Sequence, residues 1–154
     1  MTSSSEPAPS LDPLLALVAE RRVGVLVTLK RDGRPQLSNV TYAFDPAVGS
    51  AAAQVRVSVT DDRAKVANLR RDPRVSLHAA RPDMGAYAVV EGIATLSPVA
   101  AAPDDEVVDR LVDQYRAAAG EHPDWAEFRA AMVADRRLLL SFGVDHVYGW
   151  DGRG

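Results

Sequence analysis

The sequence predicts a mainly β protein in which six antiparallel strands form a barrel with flanking helices. Three observations support this fold class. Short segments rich in alternating or β-branched residues recur along the chain. Hairpin-type turns join the first three of these segments, and a sustained helical period appears only between the later ones. Because most connections between strands are short, an antiparallel barrel is favoured over a doubly wound parallel sheet.

The six predicted strands cover residues 23–29, 36–44, 52–60, 74–80, 87–97 and 137–150. Asp32-Gly33 joins the first two strands and is typical of a tight hairpin turn. Gly92 lies inside the fifth strand, where glycine often marks a bulge. The last strand is predicted to be long, and its period of two places four side chains on one face, namely Val144, His146, Tyr148 and Trp150.

Four helices are predicted around these strands. Residues 11–20 carry apolar side chains at helical spacing and are expected to close one end of the barrel. A short helix follows the third strand at residues 63–69. Residues 103–119 show the clearest helical stripe, and Gly120 ends it. Asp124 is expected to cap the fourth helix, with Glu127 three residues further on.

Length and composition indicate one ordinary globular domain. The chain has 154 residues, of which 47% are hydrophobic and 25% charged, and both values are normal for a globular protein. Residues 1–10 are rich in Ser and Pro and predict a disordered tail. A single domain is expected over residues 11–152.

Several functional classes are disfavoured by composition. The net charge of −3 argues against a general nucleic-acid binder. The chain lacks a run of 18 apolar residues and a basic, apolar N-terminal signal, which predicts a cytoplasmic protein that is not in a membrane. Its three histidines show no metal-ligand spacing, so no metal site is expected. P-loop, GxGxxG and GxSxG motifs are missing, and no catalytic acid or base can be assigned.

An unusual pair of cations lies in the first turn of the short helix that follows the third strand. Arg63 and Lys65 stand where the helix dipole is positive, which is mildly unfavourable unless an anion binds there. Asp61 and Asp62 offer another interpretation, in which they cap the helix and neutralise the cations. Only two of the 18 basic residues are lysines, and a compact ammonium group suits a phosphate. The residues alone leave both interpretations open.

Polar residues on two strands extend this candidate site. Gln36, Ser38 and Asn39 follow the first hairpin turn, and Ser58 and Thr60 precede the basic turn. They are suited either to the solvent face of a sheet or to hydrogen bonds with the polar edge of a planar ligand and its phosphate.

Five segments together resemble one family: GRPQLSNV, VSVTDDRAKVANLRRDPRVSL, YAVVEGIATL, PDDEVVDRLVDQYRAAAGEHPDW and HVYG. The chain resembles the flavin/deazaflavin oxidoreductases, which have a pyridoxamine 5'-phosphate oxidase-like, FMN-binding split β-barrel. The resemblance is to the branch that uses coenzyme F420, a deazaflavin. It covers about residues 11 to 150, and its most specific part is the R-x-K-x-x-N-L-x-x-D-P pattern that begins at Arg63.

The resemblance implies a homodimer with two cofactor sites at the interface. It implies that Arg63 and Lys65 bind the ribityl phosphate, that Ser58 and Val59 flank it, and that Asn68 belongs to the same motif. By the same similarity Gln36, Ser38, Asn39 and Val40 face the tricyclic ring, and Tyr87 is contributed by the partner subunit. Lys30, Arg31 and Arg34 in the first hairpin are candidates for contacts to a polyglutamate tail.

The activity implied is that of a reductase dependent on reduced F420, which transfers a hydride to a conjugated small molecule that the sequence does not identify. The cofactor supplies the reactive group in such a site. Two alternatives remain: an FMN-dependent oxidase or reductase, and a non-catalytic protein that binds or carries F420.

Overall fold

Six strands of the chain close into an antiparallel barrel, and a seventh pairs beside it. The computed structural model describes residues 12–153, so the predicted tail at residues 1–10 lies outside the described residues. The barrel order is β4-β1-β2-β3-β6-β5, and β5 pairs back with β4 to close it. The strands are β1 Val23–Leu29, β2 Pro35–Asp45, β3 Gln54–Thr60, β4 Arg74–Ala80, β5 Tyr87–Leu96, β6 Arg137–Gly143 and β7 His146–Trp150. The predicted six-stranded antiparallel barrel is confirmed.

Four helices surround the barrel within the described part of the chain: α1 Pro13–Glu20, α2 Ala64–Arg71, α3 Glu106–Ala119 and α4 Trp125–Ala134. The interior is filled by alternate strand residues, including Leu26, Leu77 and Leu140, which are all fully buried. The Tyr42 hydroxyl donates a 2.6 Å hydrogen bond to the carbonyl of Val18 in α1. This bond fastens α1 across one end of the barrel, as the sequence predicted. None of the four helices is long and apolar enough to cross a membrane.

The strands β2 and β3 separate along part of their length. They pair only where residues 42–45 of β2 lie opposite residues 54–57 of β3. Beyond this point β2 continues along β1, and β3 continues along β6. The split leaves residues 36–41 of β2 and 58–60 of β3 facing an open space. The helix α2 begins at the end of β3, beside that opening.

The helices α3 and α4 form a second apolar layer outside the barrel. Leu139 of β6 points outward and packs with Val108, Leu111, Phe128 and Met132 of the two helices. Asp105 caps α3 by accepting from Val108 N at 2.8 Å, so this helix begins at Glu106 rather than at the predicted residue 103. Asp124 caps α4 as predicted, accepting from Glu127 N at 3.1 Å.

The prediction of one long final strand at residues 137–150 was wrong. Phe142 lies opposite Ala94, whereas His146 lies opposite Glu91. Between these two pairs the chain runs four residues along the final strand but only three along β5. The extra residue forms a bulge that divides the predicted final strand into β6 and β7. As a result Val144 packs against the barrel core and does not share the exposed face of His146, Tyr148 and Trp150.

Gly92 lies opposite this bulge rather than forming it. β5 pairs with β4 without interruption, and the extra residue belongs to the facing strand. A Cβ atom on Gly92 would overlap the carbonyl oxygen of Gly143 and lie 2.9 Å from Phe142 Cδ2. Glycine is needed here because the bulged backbone approaches β5 too closely for a side chain.

We therefore expect Gly92→Ala to lower the free energy of unfolding by about 1–3 kcal/mol, the usual range for overpacking. Gly143→Ala is the matched control from the same bulge, since its Cβ would meet nothing closer than Ala52 Cβ at 3.7 Å. Urea denaturation of the two variants checks this. Equal stability of the two variants would contradict the proposed role of Gly92.

Candidate functional site

A cavity of about 810 Å³ occupies the opening between β2 and β3. Its volume is within the range typical of small-molecule sites, roughly 300–1,000 Å³. Strands β2 and β3 form two sides, the first turn of α2 forms the floor, and α3 and α4 form the remaining wall. Eight of the ten predicted site residues line it: Gln36, Ser38, Asn39, Val40, Ser58, Val59, Arg63 and Lys65.

Among the described residues, three cations and no carboxylate line this cavity. Arg63 and Lys65 come from the start of α2, and Arg137 comes from the start of β6. The Lys65 ammonium is 3.4 Å from Ser38 Oγ on the opposite strand, and Arg63 Nε donates to Thr60 Oγ1 at 3.1 Å. Partial burial, followed by repulsion from Arg63 and Arg137, lowers the pKa of Lys65 below its usual range. This wall is therefore short of negative charge.

The helix α2 begins without a side-chain cap. Arg63 occupies the N-cap position, and its side chain makes no bond to the first turn. The first N–H groups of a helix have no partner within the helix itself. At α2 these donors lie beside Arg63 and Lys65, a combination that favours a bound anion.

The interpretation in which Asp61 and Asp62 cap α2 and neutralise its cations is wrong. Asp61 instead pairs with Arg70 at 2.7 Å and with Arg136 at 3.2 Å, and these bonds lower the pKa of its carboxyl group. Asp62 is exposed and makes no ion pair within the described residues. The charges of Arg63 and Lys65 are consequently left for another anion.

The β2 side of the cavity is polar. Gln36 and Ser38 are half-buried and Asn39 is exposed. Residues 36–41 pair with β1 along one edge, and along the other edge no strand of the described chain covers them. Successive residues of a strand direct their backbone N–H and C=O groups to alternate edges. This side can therefore offer side-chain and backbone hydrogen bonds to the edge of a planar ligand.

The wall formed by α3 and α4 is mainly apolar. Phe128 and Met132 are largely buried in the helical layer and expose their remaining surface to the cavity, together with Tyr115 and Ala119. Tyr115 and Phe128 pack against each other with ring centroids 5.0 Å apart. Gln114 Nε2 lies 3.4 Å from the carbonyl oxygen of Arg56, which links α3 to β3. The cavity thus has a charged side and an aromatic side.

Two predicted site residues lie elsewhere. Asn68 lies on the buried face of α2, towards β1. Its Nδ2 donates to Thr28 Oγ1 at 3.1 Å, and its Oδ1 accepts from Arg71 at 3.2 Å. Tyr87 lies on the outer face of β5 and stacks on His78 at 5.5 Å between ring centroids. The tail candidates Lys30 and Arg31 line a separate hollow on the other side of α2.

The sequence reasoning missed Arg137 and the helical wall. Arg137 is adjacent to Arg136, and no local signal separated the residue that faces the cavity from the one that pairs with Asp61. Strand alternation was the available clue, because Arg137 lies directly opposite Thr60, a residue already noted near the basic turn. Tyr115 lies within residues 103–119, which the sequence predicted only as a helix with an apolar stripe.

A protein-family model described as pyridoxamine 5'-phosphate oxidase matches residues 11–151. The chain belongs to this family. Proteins of the family bind flavin-type cofactors and are typically dimeric. The match agrees with the split barrel described above.

Solved structures share this fold at low sequence identity. A conserved hypothetical protein from Mycobacterium tuberculosis has a TM-score of 0.69 and 21% identity, with 99% of this chain and 91% of that chain covered. An F420 reductase has a TM-score of 0.60 and 21% identity, covering 90% of this chain and 98% of that one. A heme-binding protein from Mycobacterium smegmatis has a TM-score of 0.66 and 23% identity, covering 97% and 57% respectively.

The lowered pKa of Lys65 predicts how anion binding depends on pH. Sulfate carries a constant charge in the alkaline range, so its affinity reports the charge of the protein. We expect sulfate affinity to fall as pH rises through the pKa of Lys65, which lies below the ordinary 10.5, because the neutral amine no longer attracts the anion. Calorimetric titration from pH 7 to pH 10.5 checks this. Lys65→Arg is expected to remove the fall, since arginine stays charged throughout, whereas an unchanged profile would contradict the role of Lys65.

Proposed function

We propose that the protein is a coenzyme F420-dependent oxidoreductase that transfers a hydride from the reduced deazaflavin to a conjugated small molecule. The observation that carries this proposal is a cavity whose described lining has no carboxylate, with Arg63 and Lys65 at the uncapped start of α2 and Arg137 at the start of β6. Membership of the pyridoxamine 5'-phosphate oxidase family supports a flavin-type cofactor. The motif that begins at Arg63 and the likeness to an F420 reductase support a deazaflavin.

The residues of the cavity fit a cofactor with a planar ring and a phosphate ester. Arg63 and Lys65 supply charge-assisted donors for phosphate oxygens, while Ser58 and Thr60 add hydroxyl groups on the neighbouring strand. Arg137 adds a third cationic group to this side of the cavity. Along β2, Gln36, Ser38 and Asn39 provide polar groups that can form hydrogen bonds with the edge of the ring.

Hydride chemistry is supplied by the bound deazaflavin. The chain itself binds the phosphate through Arg63 and Lys65 and orients the ring along β2. The described residues that line the cavity include no Asp, Glu, His or Cys, so none of these has the usual character of a general acid or base near neutral pH. We therefore assign no catalytic residue, and the role of the chain is binding, orientation and exclusion of water.

FMN is the second candidate cofactor, and the family model itself favours it because that model describes pyridoxamine 5'-phosphate oxidase. The same cavity residues would bind its phosphate. A protein that carries F420 without turnover would also use these residues. The three possibilities differ in cofactor preference and in turnover.

Titration of the cofactor-free protein with F420 and with FMN tests the proposal. Clearly tighter binding of F420, followed by oxidation of the reduced cofactor when conjugated acceptors are supplied, is the expected result. Preference for FMN would assign the protein to the flavin branch, and F420 binding without turnover of any acceptor would indicate a carrier.

A variant of Lys65 links this affinity to the cationic wall. Lys65→Ala is expected to weaken F420 binding by about 1.5–3 kcal/mol, the contribution of a hydrogen bond to a charged group, without unfolding the protein. Arg110→Ala is the control, because Arg110 is exposed on α3 and does not line the cavity. If both variants bind F420 like the wild type, Lys65 does not bind the phosphate.

We also propose that the chain forms a homodimer through the outer face of β1, β4, β5 and β7. Exposed apolar side chains cluster on this face, where Tyr87 lies opposite Trp150, and Tyr148 lies opposite the buried Val89. Tyr148 and Trp150 are about half exposed, at 46% and 50%, and such aromatic patches are typical of interfaces. Dimerisation would let Tyr87 of each subunit reach the site of the other, consistent with its position outside the cavity of its own chain.

Trp150→Glu is expected to shift the protein from dimer to monomer, because it introduces a charge into an apolar interface. The control is Val48→Glu, which changes an equally apolar and 75% exposed residue in the β2–β3 hairpin loop. Light scattering coupled to size-exclusion chromatography measures both. A monomeric wild type, or a dimer in both variants, would refute this interface.

A further inference from the structure

Arg137 occupies a place in the cavity that the phosphate site does not require. It lies on the outward face of β6, directly opposite Thr60 and two residues from Leu139. Leu139 packs with Phe128 and Met132, which form the apolar wall. Since alternate strand residues share a face, Arg137 stands where the charged side of the cavity meets the aromatic side.

We propose that Arg137 forms a second anion subsite, which takes a carboxylate carried by an apolar, planar group lying against Tyr115, Phe128 and Met132. This assignment rests on the cavity being the site of the proposed oxidoreductase, and it defines the chemical class of a second ligand group there. It separates Arg137 from Arg63 and Lys65, which serve the phosphate.

The hydrogen bonds of Arg137 leave it free for a ligand. Its Nη1 is 3.4 Å from both the carbonyl oxygen and the hydroxyl of Ser58, so these contacts are long. Its Nη2 makes no hydrogen bond to any described residue and is not among the buried donors. A carboxylate in the cavity can therefore accept from the terminal nitrogens of Arg137, in the planar geometry that guanidinium favours.

The charge of the cavity also exceeds what one phosphate neutralises. Arg63, Lys65 and Arg137 bring three cationic groups together, whereas a phosphate ester carries no more than about −2 at neutral pH. Asp62 and Asp135 lie in an adjoining hollow that Arg137 also borders. Neither forms an ion pair with Arg137 within the described residues. A second anion would relieve the repulsion that remains.

The side chain of Arg137 ends nearer the helical wall than that of Arg63. Arg137 contacts Ser58, and Arg63 contacts Thr60, two residues further along the same face of β3. Ser58 is in turn two residues from Arg56, whose carbonyl oxygen accepts from Gln114 of α3. Arg137 can therefore hold a group on the side of the aromatic wall while Arg63 and Lys65 hold the phosphate.

Calorimetric titrations of the cofactor-free, full-length protein test this subsite. The probes are 2-naphthoate, its neutral analogue 2-naphthamide, and acetate. The wild type is expected to bind naphthoate at least about tenfold more tightly than either of the others, because only naphthoate combines a carboxylate with an apolar ring system. Arg137→Gln is expected to weaken naphthoate binding by about 10- to 100-fold, as for a lost charge-assisted bond, and to leave naphthamide unchanged.

Two further variants control for folding and for general charge. Arg136→Gln removes the neighbouring arginine, which pairs with Asp61 and does not line the cavity, and it should bind naphthoate like the wild type. Arg137→Lys retains the charge with different geometry and should keep the preference for naphthoate over naphthamide at lower affinity. It therefore provides the test if Arg137→Gln fails to fold. Equal naphthoate affinity in wild type and Arg137→Gln, or equal binding of naphthoate and naphthamide, would overturn the proposal.

The source of the carboxylate is distinguished by repeating the titrations with cofactors. If Arg137→Gln weakens F420 and leaves FMN unchanged, the carboxylate belongs to the tail of the deazaflavin. If it leaves both cofactors unchanged but weakens naphthoate in the loaded protein, the carboxylate belongs to a separate acceptor. The first result would overturn the assignment to an apolar, planar ligand, and the second supports it. Because naphthoate is titrated without cofactor, the subsite and the proposed F420 dependence can fail independently.

Discussion

The separation of β2 from β3 is the constraint on which the rest of the site depends. The two strands share only four paired positions, from Tyr42 to Asp45 on β2, and each then follows a different neighbour. A barrel whose strands paired along their whole length would fill this space with its own backbone hydrogen bonds. The split leaves one edge of β2 open and places the start of α2 at the bottom of the opening.

Interactions outside the cavity hold the strands and α2 in place around the opening. Tyr42 anchors β2 to α1 at the point where the strands begin to part, and Asn68 with Thr28 fixes α2 against β1. Asp61 engages Arg70 and Arg136, so it does not approach the cations of the first turn. These contacts keep three like charges together in one cavity, an arrangement that opposes stability and favours an anionic ligand.

The two walls of the cavity arise from different layers of the fold. The charged wall belongs to β3, α2 and β6, whereas the apolar wall belongs to α3 and α4, whose own core is separate from that of the barrel. The helical layer can therefore vary in shape without disturbing the charged wall. In such an arrangement one part of a site can stay constant while the rest of it changes.

Local sequence patterns determined most of the secondary structure. β1 and β4 were predicted to the residue, since each is a short apolar or alternating run between strong turn signals. Eight of ten candidate residues were brought into one cavity because they flank the β2 and β3 segments that the sequence already identified, although their part in cofactor binding stays a prediction. The division of the last strand was missed because a one-residue bulge depends on the facing strand, here on Gly92.

The sequence by itself determined the barrel, its helices and the basic turn at Arg63 and Lys65, because hydrophobic period, turn residues and helix caps act over a few neighbouring positions. Only the tertiary structure decided which charges remain free. Asp61 is adjacent to the basic turn in sequence, yet it pairs with Arg70 and Arg136, while Arg137 reaches the cavity from 74 residues beyond Arg63. Electrostatic partners are chosen by distance in space, and the closure of the barrel sets that distance.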